Sequence, residues 1–108
     1  MKLDYADFLG ECKFKISTHA ADRMAERNIT DEEVRLVYLF GERQPQMGET
    51  DALYYMASSR LKRLQKHLNL PPSLENLNVV VYQSRRGLTI IKTVYHAEIE
   101  AKRKKDNF

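Results

Sequence analysis

The sequence has one cysteine, Cys12, no tryptophan and only four glycines, each standing alone. A single cysteine cannot form an internal disulfide, and without a cysteine cluster a thiolate zinc site is excluded. Isolated glycines do not form the glycine-rich loops that cradle phosphates in nucleotide-binding proteins. No apolar run approaches the roughly 20 residues that cross a membrane. The sequence therefore predicts no membrane span, no structural disulfide and no nucleotide-binding loop.

A secretory leader is not indicated either. Residues 1–13 contain acidic side chains where a leader needs a basic segment followed by an unbroken apolar stretch, so we expect a cytoplasmic protein. The length of 108 residues corresponds to one domain with its own core, and 43% hydrophobic with 31% charged residues is typical of a globular fold. The net charge of +3 permits a polyanionic partner without requiring one.

A first helix is predicted over about residues 18–27. Ser17 or Thr18 can cap its start, and Asn28 can adopt the left-handed conformation that ends a helix. A second helix is predicted over about residues 31–40. Its signals are a capping box, a hydrophobic staple and a terminal glycine, supplied by Thr30 with Glu33, by Ile29 with Val34, and by Gly41. The two helices are then joined at a tight corner.

Three antiparallel strands are predicted near residues 52–57, 78–83 and 88–95, with a loop before the first. Between the first two, residues 58–69 have the pattern of a basic amphipathic helix that Pro71 ends. Together these elements predict a single α+β domain in which two N-terminal helices pack on a small antiparallel sheet. We expect its core to span about residues 14–96 and its basic tail, residues 98–108, to be flexible.

The first candidate site is a stripe on the first predicted helix. A step of four residues turns a helix by about 400°, so His19, Arg23 and Arg27 lie along one line that drifts by about 40° per step. Two guanidinium groups suit a phosphate and a histidine can transfer a proton, which are the parts of RNA phosphodiester chemistry. The alternative is a solvated face, with the arginines paired to Asp22, Glu26 or other nearby acidic residues and His19 bonded to backbone at the helix start.

The second candidate site is the end of the last predicted strand, where proton-transfer groups follow one another at Tyr95 and His96. Lys92 and the turn residues Arg85 and Arg86 add positive charge beside them, and we expect these three residues to contact RNA. Regular alternation places Lys92 and His96 on one face of the strand and Tyr95 on the other. The alternative for Tyr95 is a half-buried aromatic residue of the sheet.

The third candidate is the basic helix, whose cationic side chains could follow a phosphate backbone or form a solvated face. These side chains are Arg60, Lys62, Arg63 and Lys66. No two of the three histidines, His19, His67 and His96, have the spacing of metal ligands within one element, so we expect neither a metal ion nor another cofactor.

The order STHAADRMAERNITDEEV over residues 17–34, followed by NVVVY and TVY, resembles a widespread family of small bacterial domains of unknown function. That family is grouped with the RelE/ParE-like toxins. The resemblance covers about residues 14–96, and its most specific positions follow the pattern S-x-H-A-x-x-R-M-x-x-R-x-I. It implies two helices on a small antiparallel sheet. For the members that are toxins it implies cleavage of messenger RNA, often on the ribosome, and an antitoxin protein as partner.

For the site, the resemblance implies roles for His19, Arg23 and Arg27, which match motif positions, and for Tyr95 near the last strand. We therefore predict a metal-independent endoribonuclease in which His19 or His96 transfers protons. The arginines would hold the phosphate and its transition-state charge, and Tyr95 would orient the substrate or share in the acid/base work. The chain departs from the toxins in its inserted basic helix and in its lower density of lysine and arginine.

Two other functions remain open, because proteins that share this fold differ in their targets. One is a binding module without catalytic activity that docks a protein or a nucleic acid through the basic helix and the face of the sheet. The other is a ParE-like inhibitor of DNA gyrase. The sequence leaves the oligomeric state undetermined.

Overall fold

A computed structural model of the chain describes residues 13–45, 51–83 and 86–97. In this part of the chain the fold is α+β, with three α-helices on a five-stranded mixed sheet. In chain order the elements are β1 (Lys15–Ile16), α1 (Thr18–Arg27), α2 (Asp31–Phe40), β2 (Glu42–Pro45), β3 (Asp51–Tyr55), α3 (Ser58–Leu64), a 3-10 turn (Pro72–Leu74), β4 (Leu77–Gln83) and β5 (Thr89–His96). The predicted tail 98–108, Cys12 and Arg85 lie outside the described residues.

The strand order in the sheet is β1-β5-β4-β3-β2. Strands β2 to β5 pair antiparallel with their neighbours, and β1 adds a short parallel edge beside β5. The predicted α+β class and the three predicted strands are confirmed. The loop expected before β3 is partly wrong, because Glu42–Pro45 forms an edge strand. Its polar composition hides it from pattern analysis, and a proline can close an edge strand because no neighbour needs its missing N–H.

Helix α1 forms as its capping residues predict. The Ser17 hydroxyl accepts a hydrogen bond from the Ala20 amide at 3.0 Å, and Asn28 ends the helix in the left-handed conformation with φ 55° and ψ 40°. Ala20 and Met24 are the buried side chains of this helix, and both belong to the main core. The local sequence is therefore sufficient to explain where α1 begins and ends and which side packs.

Helix α2 begins with the predicted capping box. The Thr30 amide donates to Glu33 Oε1 at 2.8 Å, and the Glu33 amide donates to Thr30 Oγ1 at 3.1 Å. The helix ends at Gly41 as predicted, but for a different reason, because Gly41 has φ −75° and not a left-handed φ. A β-carbon at this position would lie 2.5 Å from the backbone oxygen of Val37 and 2.8 Å from that of Tyr55. Glycine is required here by the close approach of α2 to β3.

Helix α3 is shorter than the predicted 58–69, because regular helix ends at Leu64 and residues 65–67 form turns. Leu61 and Leu68 are buried nonetheless, so the turns preserve the apolar side of the predicted amphipathic helix. Side chains of α1, α2 and α3 share one core with β4 and β5. All three helices therefore pack on the same face of the sheet. None of the described helices is long and apolar enough to cross a membrane.

Strand β5 contains a β-bulge that the sequence pattern did not reveal. Val80 of β4 lies opposite Thr93 and Val81 lies opposite Ile91, which leaves Lys92 as an extra residue between them. A bulge of this kind shifts the alternation of side chains by one position. Ile91 is buried on the helix side before the bulge and Val94 after it. The prediction that Lys92 and His96 share one face of the strand is therefore wrong, because the bulge lies between them.

Candidate functional site

The stripe on α1 has one residue engaged in an ion pair and two that are not. Arg23 Nη1 lies 2.8 Å from Glu26 Oε2, with both side chains substantially exposed, so the pair contributes at most about 1 kcal/mol to stability. His19 and Arg27 are exposed and have no hydrogen-bond or ion-pair partner among the described residues. Arg23 is therefore ion-paired, as the solvated-face alternative expects. The backbone bond at the helix start, which that alternative gave to His19, is made by Ser17.

The first turn of α1 is anchored beside the bulge of β5. The Ser17 amide donates to the Ile91 carbonyl at 3.0 Å, and the Ser17 hydroxyl donates to the Lys92 carbonyl at 3.1 Å. This places His19, two residues later, near the middle of β5. Lys92 itself pairs with Asp51 at 2.8 Å, so its charge is partly balanced within the fold and is less available to an RNA phosphate.

The two neighbouring candidates at the end of β5 lie on opposite faces of the sheet. Val94 packs in the core with the helices, so alternation directs Tyr95 to the other face and His96 back to the helix face. Tyr95 is half-buried in the sheet, and its backbone carbonyl lies 3.4 Å from Asn78 Nδ2. His96 is exposed, with Nε2 3.4 Å from the Ser73 carbonyl. The structure brings His96 to the side of α1 and keeps Tyr95 apart from it.

His96 also influences the carboxylate of the capping box. Burial raises the pKa of Glu33, but hydrogen bonds from Ser73 and Thr30 and the nearby His96 charge lower it, and the net pKa is below its ordinary value. Hydrogen bonds and a positive neighbour both favour the ionised carboxylate. Glu33 is therefore held as an anion where α2 begins, close to the exposed imidazole of His96.

Replacement of Glu33 by glutamine tests this arrangement through the pH dependence of stability. Glutamine keeps the capping geometry but does not titrate. Because the carboxyl pKa is lower in the folded state, the ionised Glu33 stabilises the fold at pH values above the unfolded-state pKa. That contribution is lost as the pH falls through the folded-state pKa. At pH 7 the free energy of unfolding of wild type should exceed that of Glu33→Gln by no more than about 1 kcal/mol. In urea unfolding this difference should shrink below pH about 4.5. An advantage that grows on acidification would contradict the assignment.

A basic pocket lies along α3 and the turn after it. Arg60, Arg63, Leu64 and His67 line an open cavity of about 280 Å³. The guanidinium of Arg60 is anchored, because its Nε donates to the Phe40 carbonyl at 2.6 Å. The sequence pattern indicated a basic helix but missed the cavity. The spacing i, i+3, i+4 and i+7 shows that the lining residues share one side of the helix, but it does not reveal the open space beside them.

The residues predicted to bind RNA therefore lie in different surroundings. Arg60 and Arg63 line the pocket, whereas Lys62, Lys66 and Arg86 are exposed outside it. Lys92 pairs with Asp51, and Arg85 lies outside the described residues. Among the described residues, no group of three or more histidine, cysteine, aspartate or glutamate side chains lies close enough to hold a metal ion.

Comparison with known proteins adds one finding to this geometry. A family model described as "Domain of unknown function (DUF4258)" matches residues 16–96. The matched segment contains α1 with its stripe, α3 with its basic pocket, and β5 through His96. No curated protein and no solved structure matches the chain. The candidate sites described above all lie inside the matched segment.

Proposed function

The chain belongs to the family described as a domain of unknown function (DUF4258), and we propose that it is a RelE-like toxin of a toxin–antitoxin pair that cleaves RNA without a metal ion. The proposal rests on the resemblance of residues 17–34 to a family grouped with such toxins. One structural observation supports it above the others. His19 and Arg27 stay exposed and unpaired among the described residues, while Ser17, Ala20 and Met24 meet the structural needs of α1.

The proposed roles follow from the chemistry of the side chains. Cleavage without a metal requires a base for the 2′-hydroxyl proton, donors for the charged phosphorane and an acid for the leaving oxygen. We assign proton transfer to His19 or His96, which both lie on the helix side of the sheet. Arg27 binds the phosphate, and Arg23 joins it once it leaves Glu26. Tyr95, on the opposite face, keeps a structural role in this scheme.

Induced expression in a bacterial host tests the proposal. Wild type should stop growth and deplete messenger RNA within minutes, whereas the double variant His19→Ala, Arg27→Ala should do neither. Ala25→Gln is the matched control, because Ala25 is an exposed α1 residue that lies about 120° or more around the helix from each side chain of the stripe. It should behave as wild type.

Three results would contradict the proposal, and each favours a different conclusion. Normal growth with intact RNA in wild type would favour the binding module without catalytic activity. Growth arrest with intact RNA and inhibited DNA supercoiling would favour a ParE-like gyrase inhibitor. RNA cleavage retained in the double variant would place the catalytic groups away from α1. Purified wild type should also cleave RNA in the presence of EDTA, since the proposed mechanism uses no metal.

A further inference from the structure

We propose that the pocket of Arg60, Arg63, Leu64 and His67 is a phosphate-binding site, separate from the stripe on α1. The described residues that line it supply two guanidinium groups, one imidazole and one apolar wall, with no carboxylate among them. Its volume of about 280 Å³ lies just below the roughly 300–1,000 Å³ of pockets for drug-sized ligands. The cavity is thus the size for a phosphate with part of its ester group.

The arginines are arranged in a way that favours binding. Arg60 uses its Nε–H on the Phe40 carbonyl at 2.6 Å, which holds the planar group in place while four other N–H donors remain. Arg63 and His67 have no side-chain hydrogen bond or ion pair with any described residue. The anchored guanidinium of Arg60 reduces the conformational entropy that binding would otherwise cost, and Arg63 and His67 need not give up a partner among the described residues in order to bind.

Phosphate fits this set of donors better than a carboxylate does. A phosphate presents oxygens in several directions and can accept forked hydrogen bonds from two guanidinium groups and one more from an imidazole. Leu64 offers an apolar surface for the carbon skeleton of an ester. The phosphate could belong to a phosphomonoester, such as the end of a nucleotide, or to the phosphodiester backbone of a nucleic acid.

The test uses purified full-length protein labelled with ¹⁵N and titrated with inorganic phosphate at constant ionic strength. The Nε–H signals of Arg60 and Arg63 and the ring signals of His67 should shift in a saturable way, whereas sodium acetate should not saturate them. Arg63→Gln should weaken phosphate binding at least roughly tenfold, as expected for the loss of charged hydrogen bonds. Arg63 is the position of choice because Arg60 also holds α3 to the end of α2.

Lys62→Gln is the matched control, since it removes one positive charge from the same helix at an exposed position outside the pocket. Its effect on phosphate affinity should stay within about twofold at physiological salt, where exposed charges are screened. The proposal would be overturned if Lys62→Gln weakened binding as much as Arg63→Gln, or if phosphate produced no saturable shift.

Two further titrations identify the source of the phosphate. Tighter binding of 5′-AMP than of an RNA tetranucleotide without terminal phosphates would assign the site to phosphomonoesters. The reverse order would assign it to a phosphodiester backbone, and either order supports the site. The measurement needs no turnover, so a failure of the endoribonuclease proposal leaves this test unaffected.

Discussion

His19→Ala is expected to reduce RNA cleavage by purified protein by about 10²- to 10⁴-fold in kcat/KM, the range for loss of a general acid or base. Arg27→Ala should cost about 10²- to 10³-fold, as for the removal of one donor to the developing charge. Arg23→Ala should remain within roughly tenfold of wild type, because Arg23 already pairs with Glu26 at 2.8 Å. This order follows from which side chains of the stripe are unpaired.

Two measurements separate catalysis from stability in this series. Unfolding in urea should give the same midpoint for all three variants within error, because the caps and buried residues of α1 are other side chains. Added imidazole should restore part of the activity of His19→Ala, since it replaces the missing proton-transfer group. Equal losses for all three variants would contradict the predicted order. A His19→Ala variant with at least half the wild-type rate would remove His19 from the mechanism.

Asn78→Asp is expected to lower the free energy of unfolding by about 4 kcal/mol, the scale for an unpaired buried charge. Asn78 is fully buried, and its Nδ2 donates toward the carbonyl oxygens of Asn76 at 2.8 Å, Ala97 at 3.0 Å and Tyr95 at 3.4 Å. Aspartate replaces the donor by an anionic oxygen of nearly the same size. Three carbonyls would then face a negative charge where they now share a donor.

The pH dependence and a matched control make this prediction specific. The loss in Asn78→Asp should shrink as the pH falls, because a protonated carboxyl carries no charge and can donate one hydrogen bond. Asn69→Asp makes the same chemical change at an exposed position and should alter stability by less than about 0.5 kcal/mol. Guanidinium chloride unfolding of the three proteins at pH 4 and pH 7 provides the comparison. Equal stability of Asn78→Asp and wild type at pH 7 would contradict the clamp that Asn78 forms between β4 and β5.

The Asn78 clamp also bears on the candidate site. It lies in the row of the sheet that pairs Tyr55, Asn78 and Tyr95, and one of its hydrogen bonds reaches the residue after His96. The end of β5 is thus held by buried backbone contacts. His96 is presented to solvent from a rigid strand end, which is a suitable support for a proton-transfer group.

The sequence by itself determined the features of this protein that have local causes. The start of α1, the left-handed Asn28 and the capping box of α2 each depend on hydrogen bonds between residues three or four positions apart. The four-residue spacing of His19, Arg23 and Arg27 likewise guaranteed a common stripe once the helix was predicted. Apolar runs were sufficient to identify β4 and β5 as well.

Only the tertiary structure decided the features that depend on pairing between distant segments. The edge strand β2 exists because β3 offers it hydrogen bonds, despite its polar sequence. The bulge at Lys92 depends on the register against β4, and it sets which side chains of β5 face the helices. The separation of Tyr95 from the stripe and the pocket behind Arg60 follow from those pairings and from how α3 packs. Long-range register and packing leave little trace in local periodicity, which is the physical reason that the stripe was predictable from the sequence and the pocket was not.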